Sequence, residues 1–199
     1  AAGRTLADFS LVAMDMDSTL ITIECIDEIA DMQGLKAEVS SITEAAMRGE
    51  LDFSASLARR VALLKGLDAA ALERVYEERL RLSPGAETML AAVRAAGLKT
   101  LLVSGGFTFF TDRLKARLAL DYAHANLLEI EDGRLTGRVV GGIVDAEEKM
   151  RTVARVCEEL GVDTRRAIVM GDGANDLRMM GIGGLSVAFR AKPVVRAQA

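Results

Sequence analysis

Three short apolar segments of this chain each end in a polar or glycine-rich loop, and this pattern constrains the fold more than any other feature. The three segments span residues 11–14, 98–103 and 167–170. Strands that are apolar on both faces lie inside parallel sheets, and strands that alternate with helices form doubly wound α/β folds. Because parallel strands end at the same edge of a sheet, we expect the three loops to meet and form a ligand site.

The chain also predicts a second unit made only of helices. Residues 23–82, here called the helical insertion, show apolar residues at helical spacing and no strand pattern. We therefore predict a doubly wound, mainly parallel α/β core formed by residues 1–22 and 83–199, interrupted by a small helical cap domain. The remaining strands of the core are predicted at residues 126–130, 134–140 and 185–189, the first two forming a β-hairpin.

Composition excludes several classes of function. The net charge is −4 and no basic block is present, which argues against nucleic acid as a partner. No apolar run approaches the ~20 residues of a membrane span, and the first residues do not resemble a signal peptide. Cys25 and Cys157 form neither a metal-binding spacing nor a disulfide framework, so we expect a reduced, cytoplasmic protein. The single histidine, His124, has no serine motif nearby and is predicted to be structural.

Two aspartates, Asp15 and Asp17, directly follow the first apolar segment. Side chains two positions apart on a strand point the same way, so the two carboxyls are expected to lie together. Neighbouring carboxyls do not both ionise readily without a cation or a shared proton. This cost indicates one ionised acid, acting as nucleophile or metal ligand, and one that carries a proton. The pair alone also allows a simpler role in capping the next helix.

The loop after the second strand and a lysine further on are candidate phosphate contacts. Ser104, Gly105 and Gly106 are small enough for backbone N–H groups to approach an anion, although an ordinary strand-to-helix turn is the simpler interpretation of this loop alone. Lys149 lies near the start of a predicted helix, where a cation is disfavoured. A contact with phosphate or with Asp15 would explain that position, and an exposed lysine is the alternative.

The third loop, residues 171–176, contains two acids and an amide. Asp172 and Asp176 offer the oxygen ligands that Mg²⁺ prefers, whereas a helix cap with two glycines is the simpler interpretation. The loop lacks the third glycine of a dinucleotide-binding motif, so that type of site is disfavoured. Asp172 is therefore a candidate metal ligand, and Asp176 either binds the ion or orients one of its waters.

Taken together, four motifs resemble those of the haloacid dehalogenase-like phosphatases in both order and spacing. The motifs are Asp15-Met16-Asp17-Ser18-Thr19, Ser104-Gly105-Gly106, Lys149 and Gly171-Asp172-Gly173-Ala174-Asn175-Asp176. The helical insertion is similar to the small helical cap of that superfamily. The runs ECIDEIA and ITEAAMRGELDFSASLARRVALLKGL extend the resemblance to members that act on O-phosphoserine.

The resemblance implies a Mg²⁺-dependent phosphomonoesterase that converts O-phosphoserine to serine and phosphate, the last step of serine biosynthesis, through an aspartyl-phosphate. The residues implied in catalysis are Asp15 as nucleophile, Asp17 as general acid and base, and Lys149. The implied metal ligands are Asp15, the carbonyl of Asp17, and Asp172, with Asp176 in support. The implied substrate contacts are Glu24, Met47, Phe53, Arg60, Ser104, Gly105, Gly106, Lys149 and Asn175.

Within this set, Glu24 is implied to meet the substrate ammonium and Arg60 its carboxylate, while Met47 and Phe53 close over it. Simpler alternatives stay open for both residues. Glu24 could be a first-turn acid that interacts with the helix dipole, and Arg60 could lie on the solvent-exposed surface of its helix. Related activities stay open, including hydrolysis of another small phosphate ester or transfer of the phosphoryl group to an alcohol such as homoserine. A dehalogenase and a silent phosphate-binding module are disfavoured, and a homodimer is left open.

Overall fold

The computed structural model describes residues 3–199 and shows a six-stranded sheet with the order β4-β3-β2-β1-β5-β6. The strands are β1 (Leu11–Met14), β2 (Lys99–Phe107), β3 (Tyr122–Glu131), β4 (Arg134–Val140), β5 (Ala167–Gly171) and β6 (Leu185–Ala188). Neighbouring strands of this described sheet run parallel, except for the antiparallel hairpin β3–β4. The predicted doubly wound, mainly parallel sheet is therefore confirmed.

Helices separate the strands and also fill the helical insertion. The helices are α1 (Cys25–Asp31), α2 (Lys36–Met47), α3 (Phe53–Leu63), α4 (Ala70–Arg74), α5 (Ala86–Ala95), α6 (Thr108–Leu118), α7 (Ala146–Glu159), α8 (Leu177–Ile182) and α9 (Pro193–Gln198). Helices α1 to α4 follow β1 without an intervening strand, and α4 continues into a π-helical turn at Val75–Arg79. Across residues 3–199, no helix is long and apolar enough to cross a membrane.

The apolar character of β1 follows from its central position. Val12 and Met14 pack into one core cluster, which contains residues of α5 and α6. Leu11 and Ala13 point to the opposite face and pack against residues of α7 and α8. Burial on both faces explains why this strand has no alternating polar residues. It also places the carboxyl end of β1 between β2 and β5, where the strand order reverses and α/β sheets bind ligands.

The prediction that β2 ends at Val103 is wrong. The strand continues through Ser104, Gly105 and Gly106 to Phe107, and α6 begins at Thr108. The pairing of β2 with β3 is irregular there, because its register shifts between Val103 and Phe107. The small residues let the backbone stay extended while it leaves the regular ladder.

Candidate active site

The first acid of the site, Asp15, lies at the end of β1 in the middle of the sheet. Its N–H donates to the carbonyl of Met170 on β5 (3.0 Å), which extends the strand pairing by one residue. Its Oδ1 accepts the N–H of Met16 (2.8 Å). The chain then forms a wide turn at Met16–Leu20, in which Ser18 has a φ of 54°. These contacts fix a buried carboxyl at the carboxyl edge of the sheet.

Lys149 is fully buried and binds two carboxylates at once. Its Nζ lies 2.9 Å from Asp15 Oδ1 and 2.7 Å from Asp176 Oδ1. Burial disfavours the ammonium charge, but the carboxylates of Asp15 and Asp176 outweigh that effect and raise the pKa of Lys149. The alternative of an exposed lysine is wrong. A buried ammonium is stable only with such partners, and these explain its place near the start of α7.

Three carboxylates converge around this lysine. Oxygens of Asp15, Asp172 and Asp176 lie within 4.8 Å of one another. Burial and the charge of Asp176 raise the pKa of Asp15 well above its usual range and that of Asp172 to about 7. Excess negative charge on hard oxygen ligands is the donor set that suits a divalent cation such as Mg²⁺. The residues present therefore fit a metal site.

The three acids differ in how many of their lone pairs are already used. Asp176 Oδ2 accepts the N–H groups of Asp172 (3.0 Å) and Gly173 (3.1 Å), and its Oδ1 binds Lys149. Asp172 Oδ1 accepts the hydroxyl of Thr19 (3.1 Å). Among the described residues, no donor reaches Asp15 Oδ2 or Asp172 Oδ2. Asp176 thus shapes the loop and anchors the lysine, whereas Asp15 and Asp172 keep an oxygen available.

Asp17 and Glu24 are two further acids of the site, and both are half-buried. Burial raises the pKa of Asp17 to about 6, although the N–H of Cys25 donates to its Oδ1 (2.9 Å) and opposes the shift. Burial and the neighbouring charge of Asp17 raise the pKa of Glu24 well above its usual range. The hydroxyl of Ser18 donates to Glu24 Oε1 at 2.6 Å. A carboxyl with a pKa near 6 can both give and take a proton near neutral pH.

Arg60 points inward from α3 and is 2 % exposed, so the alternative of a solvated surface arginine is wrong. Its Nε donates to the carbonyl of Ser56 (3.2 Å) and its Nη1 to the hydroxyl of Thr43 (3.1 Å). Its Nη2 is buried and finds no acceptor among the described residues. A buried guanidinium nitrogen without a partner is costly, and an anionic ligand would remove that cost.

One small pocket collects most of the predicted substrate contacts. Its lining includes Asp15 and Asp17 and every predicted substrate contact except Ser104 and Lys149. Three apolar residues that the sequence did not single out, Ile26, Leu57 and Phe107, also line it. Their spacing is that of ordinary core residues, so nothing in the sequence separated them from the rest of the interior.

The helical insertion lies directly against the loops of the sheet. A Cβ on Gly105 would come within 2.5 Å of the Phe53 ring, and one on Gly173 within 2.6 Å of Met47 Sδ. Ser104 is fully buried, and its Oγ accepts the N–H of Gly106 at 2.9 Å. The glycines therefore allow Phe53 and Met47 to close one side of the pocket.

Asn175 and His124 complete the predicted residues. Asn175 lines the pocket, and its buried Oδ1 has no partner in the described part of the chain. His124 lies on β3, outside the pocket, with its Nε2 3.2 Å from Glu148 Oε1. That contact has the distance of an ion pair but not the geometry of a hydrogen bond.

Comparison with known proteins identifies the family of this chain. Residues 12–181 match the family model of haloacid dehalogenase-like hydrolases. A phosphoserine phosphatase of a Polaromonas species is 60% identical over 199 residues, covering 98% of this chain and 84% of the relative.

Two solved structures share the fold closely. A phospho-aspartyl intermediate analogue of phosphoserine phosphatase has a TM-score of 0.93 at 39% identity, covering 96% of this chain and 91% of that one. A substrate-bound phosphoserine phosphatase complex has a TM-score of 0.92 at 38% identity, covering 96% and 90%. The chain belongs to the haloacid dehalogenase-like hydrolase family, and within it to the phosphoserine phosphatases.

Proposed function

We propose that this enzyme hydrolyses O-phosphoserine to serine and inorganic phosphate through an aspartyl-phosphate on Asp15. One observation carries the proposal. A single pocket joins Asp15 and Asp17 at the end of β1 to Glu24 and to the unpartnered Nη2 of Arg60. O-phosphoserine has three charged groups. Glu24 and Arg60 in the pocket complement its ammonium and carboxylate, and Lys149, bound to the pocket residue Asp15, complements its phosphate.

The two ends of the amino acid are recognised by opposite charges. The planar fork of Arg60 suits the substrate carboxylate, and the carboxylate of Glu24 suits its ammonium. Arg60 is held by Ser56 and Thr43, so its free nitrogen is aimed before substrate arrives. Met47 and Phe53 cover the bound molecule from the side of the helical insertion. This arrangement selects a small free amino acid ester.

The donor set near Lys149 supports a Mg²⁺ site. Asp15 and Asp172 would hold the ion together with the carbonyl of Asp17, while Asp176 supports the site by fixing the loop. When bound, the ion neutralises charge on the phosphoryl oxygens.

The residues of the chain divide the chemistry between two steps. Met16 and Lys149 hold the Asp15 carboxylate in place, and this carboxylate attacks phosphorus in line. The bond from phosphorus to the seryl oxygen breaks as Asp17 donates a proton to that oxygen. Asp17, now ionised, takes a proton from water, which attacks the aspartyl-phosphate and releases phosphate.

Phosphoryl charge is stabilised by groups at three loop positions. Lys149, Ser104 and Asn175 are proposed to contact the phosphoryl oxygens, with the backbone of Gly105 and Gly106. Most of the acceleration in phosphoryl transfer comes from such positioned charge and dipoles. The buried, hydrogen-bonded state of Lys149 supports this role because its ammonium is already in place.

We also propose the division into a core of residues 1–22 and 83–199 and a cap of residues 23–82. The two connections to the helical insertion run side by side. Thr22 N–H donates to Arg81 O (3.0 Å), and Ser83 N–H donates to Leu20 O (2.9 Å). Because Asp15 and Arg60 are both almost inaccessible, the cap must move away to admit substrate. A cytoplasmic location is proposed too, supported by the two buried free thiols, Cys25 and Cys157.

Release of phosphate from O-phosphoserine tests the function directly. We expect turnover with Mg²⁺ present and its loss when EDTA removes the ion. Activity should return when Mg²⁺ is restored. Absence of phosphate release with fresh enzyme and Mg²⁺ would refute the proposal.

A further inference from the structure

Asn126 is a buried amide that none of the roles above uses. It lies on β3, is 1% exposed, and bonds to the backbone of two separate segments. Its Nδ2 donates to the carbonyl of Gly105 (2.9 Å), and its Oδ1 accepts the N–H of Val144 (2.8 Å). Both ends of the amide are therefore satisfied by the main chain.

The segment that Asn126 holds lacks regular strand pairing. Val103 pairs with His124 and Phe107 with Asn126. Between these two pairs, β2 therefore has three residues where β3 has one. The backbone between Val103 and Phe107 needs other partners because the ladder is interrupted there. The side chain of Asn126 supplies one of them.

The bond to Gly105 fixes one peptide plane at both ends. The carbonyl of Gly105 is held by Asn126, and the N–H of the same peptide, on Gly106, donates to Ser104 Oγ. Since Oγ already accepts this hydrogen bond, the hydroxyl proton of Ser104 must be donated elsewhere. No acceptor for that proton is found among the described residues. It is left for a ligand.

The second bond reaches the segment that leads to Lys149. Val144 is followed by Asp145, whose Oδ1 caps α7 by accepting the N–H of Glu148 (2.9 Å). Lys149 is in the first turns of that helix. One amide thus ties together the backbones that carry Ser104 and Lys149. The amide offers both a donor and an acceptor, whereas an ionised aspartate of the same size offers acceptors only.

We infer that Asn126 is a positioning residue for phosphate recognition, acting through the Gly105–Gly106 peptide to present the hydroxyl proton of Ser104 to the substrate phosphate. The inference rests on the proposed function, because it takes Ser104 to be a phosphate contact. It assigns Asn126 no contact with substrate.

The test is Asn126→Asp, which keeps an acceptor for Val144 but places a carboxylate oxygen against the Gly105 carbonyl. We expect the inhibition constant of inorganic phosphate and the KM for O-phosphoserine to rise about tenfold, the effect of one lost hydrogen bond. Inhibition by L-serine, which relies on Glu24 and Arg60, should change less than about twofold. A general loss of packing would weaken both ligands together.

A double-mutant cycle with Ser104→Ala identifies the route. If Asn126 acts through Ser104, the effect of Asn126→Asp on phosphate binding should largely vanish in the Ser104→Ala background. Additive effects would overturn the inference. If the aspartate variant does not fold, Asn126→Ser makes the same comparison with a smaller, neutral side chain.

Thr100→Val is the matched control. Thr100 is buried on β2, the strand that contains Gly105, at the end away from the site, and its hydroxyl bonds with Asp121. It should lower the melting temperature without changing phosphate inhibition. If Thr100→Val and the Asn126 variant changed phosphate inhibition equally, the positioning role of Asn126 would be refuted. Unchanged phosphate inhibition in a folded Asn126 variant would also refute it. Neither result would contradict hydrolysis of O-phosphoserine by the wild type. A wild type that neither binds phosphate nor hydrolyses O-phosphoserine would refute the proposed function itself.

Discussion

The sheet edge and the helical insertion hold their charged groups in different ways. At the sheet edge, Lys149 already binds Asp15 and Asp176, and Asp172 is held by Thr19. In the insertion, Arg60 keeps a buried nitrogen without a partner. The first arrangement is preorganised for chemistry, and the second is completed only by a ligand. We propose that reactivity resides in the core and selectivity in the insertion. Variants on each side should therefore fail differently.

The largest effect is expected from Asp15→Asn. The amide is nearly isosteric but a very poor nucleophile, so hydrolysis of both O-phosphoserine and p-nitrophenyl phosphate should fall to background. Phosphate release measures the loss, and circular dichroism should show an unchanged fold. Substantial turnover of either substrate by this variant would remove Asp15 from the nucleophile role.

Asp17→Asn should slow turnover of O-phosphoserine about 100-fold or more, the usual loss for a general acid or base. Nitrophenolate leaves without a proton, so formation of the phosphoenzyme from p-nitrophenyl phosphate should be spared while its hydrolysis is slowed. Stopped-flow absorbance should then show a burst of nitrophenolate. A uniform loss with no burst would mean that Asp17 does not serve both steps.

Arg60→Ala should distinguish the two regions most clearly. We expect kcat/KM for O-phosphoserine to fall about 100-fold, since a charged hydrogen-bonded pair is lost, and that for p-nitrophenyl phosphate to change less than about threefold. Arg59→Ala is the matched control, because Arg59 is the adjacent residue but is exposed. Equal losses on both substrates would argue against recognition of the carboxylate.

The smallest expected effect is a pH dependence of substrate preference that comes from the charge of Glu24. Its pKa is raised above the usual range, so it becomes protonated at a higher pH than an ordinary glutamate, and its attraction for an ammonium is lost as pH falls through that value. The preference for O-phosphoserine over p-nitrophenyl phosphate should therefore decline with falling pH. In Glu24→Gln, the ratio of kcat/KM for O-phosphoserine to kcat/KM for p-nitrophenyl phosphate should fall about tenfold and should no longer depend on pH. A ratio that keeps its wild-type pH dependence in this variant would contradict the assignment.

Much of this architecture was predictable because it depends on local patterns. The buried strand Leu11–Met14 is too apolar for a half-exposed position, and the helices of the insertion show clear periodicity. The burial of Arg60 could also be predicted from the sequence. Arg60 lies three positions after Leu57 and shares the inward face of α3, so its helical position signals burial.

Other features depend on contacts between distant segments. The continuation of β2 to Phe107 follows from pairing with β3, which no local pattern reveals. Asn126 and Thr43 have ordinary polar identities, and their importance appears only when their partners Gly105 and Arg60 are known. The ammonium of Lys149 is likewise buried by residues from two remote loops.

The enclosure of Glu24 and Arg60 within one covered pocket has a consequence for phosphoproteins. A phosphorylated serine inside a polypeptide has amide bonds in place of its free amino and acid groups, so neither Glu24 nor Arg60 would find a counterpart for its charge. Such an enzyme can share a compartment with protein kinases without removing phosphate from the serine residues that they phosphorylate. We expect that a phosphoserine peptide incubated with this enzyme keeps its phosphate.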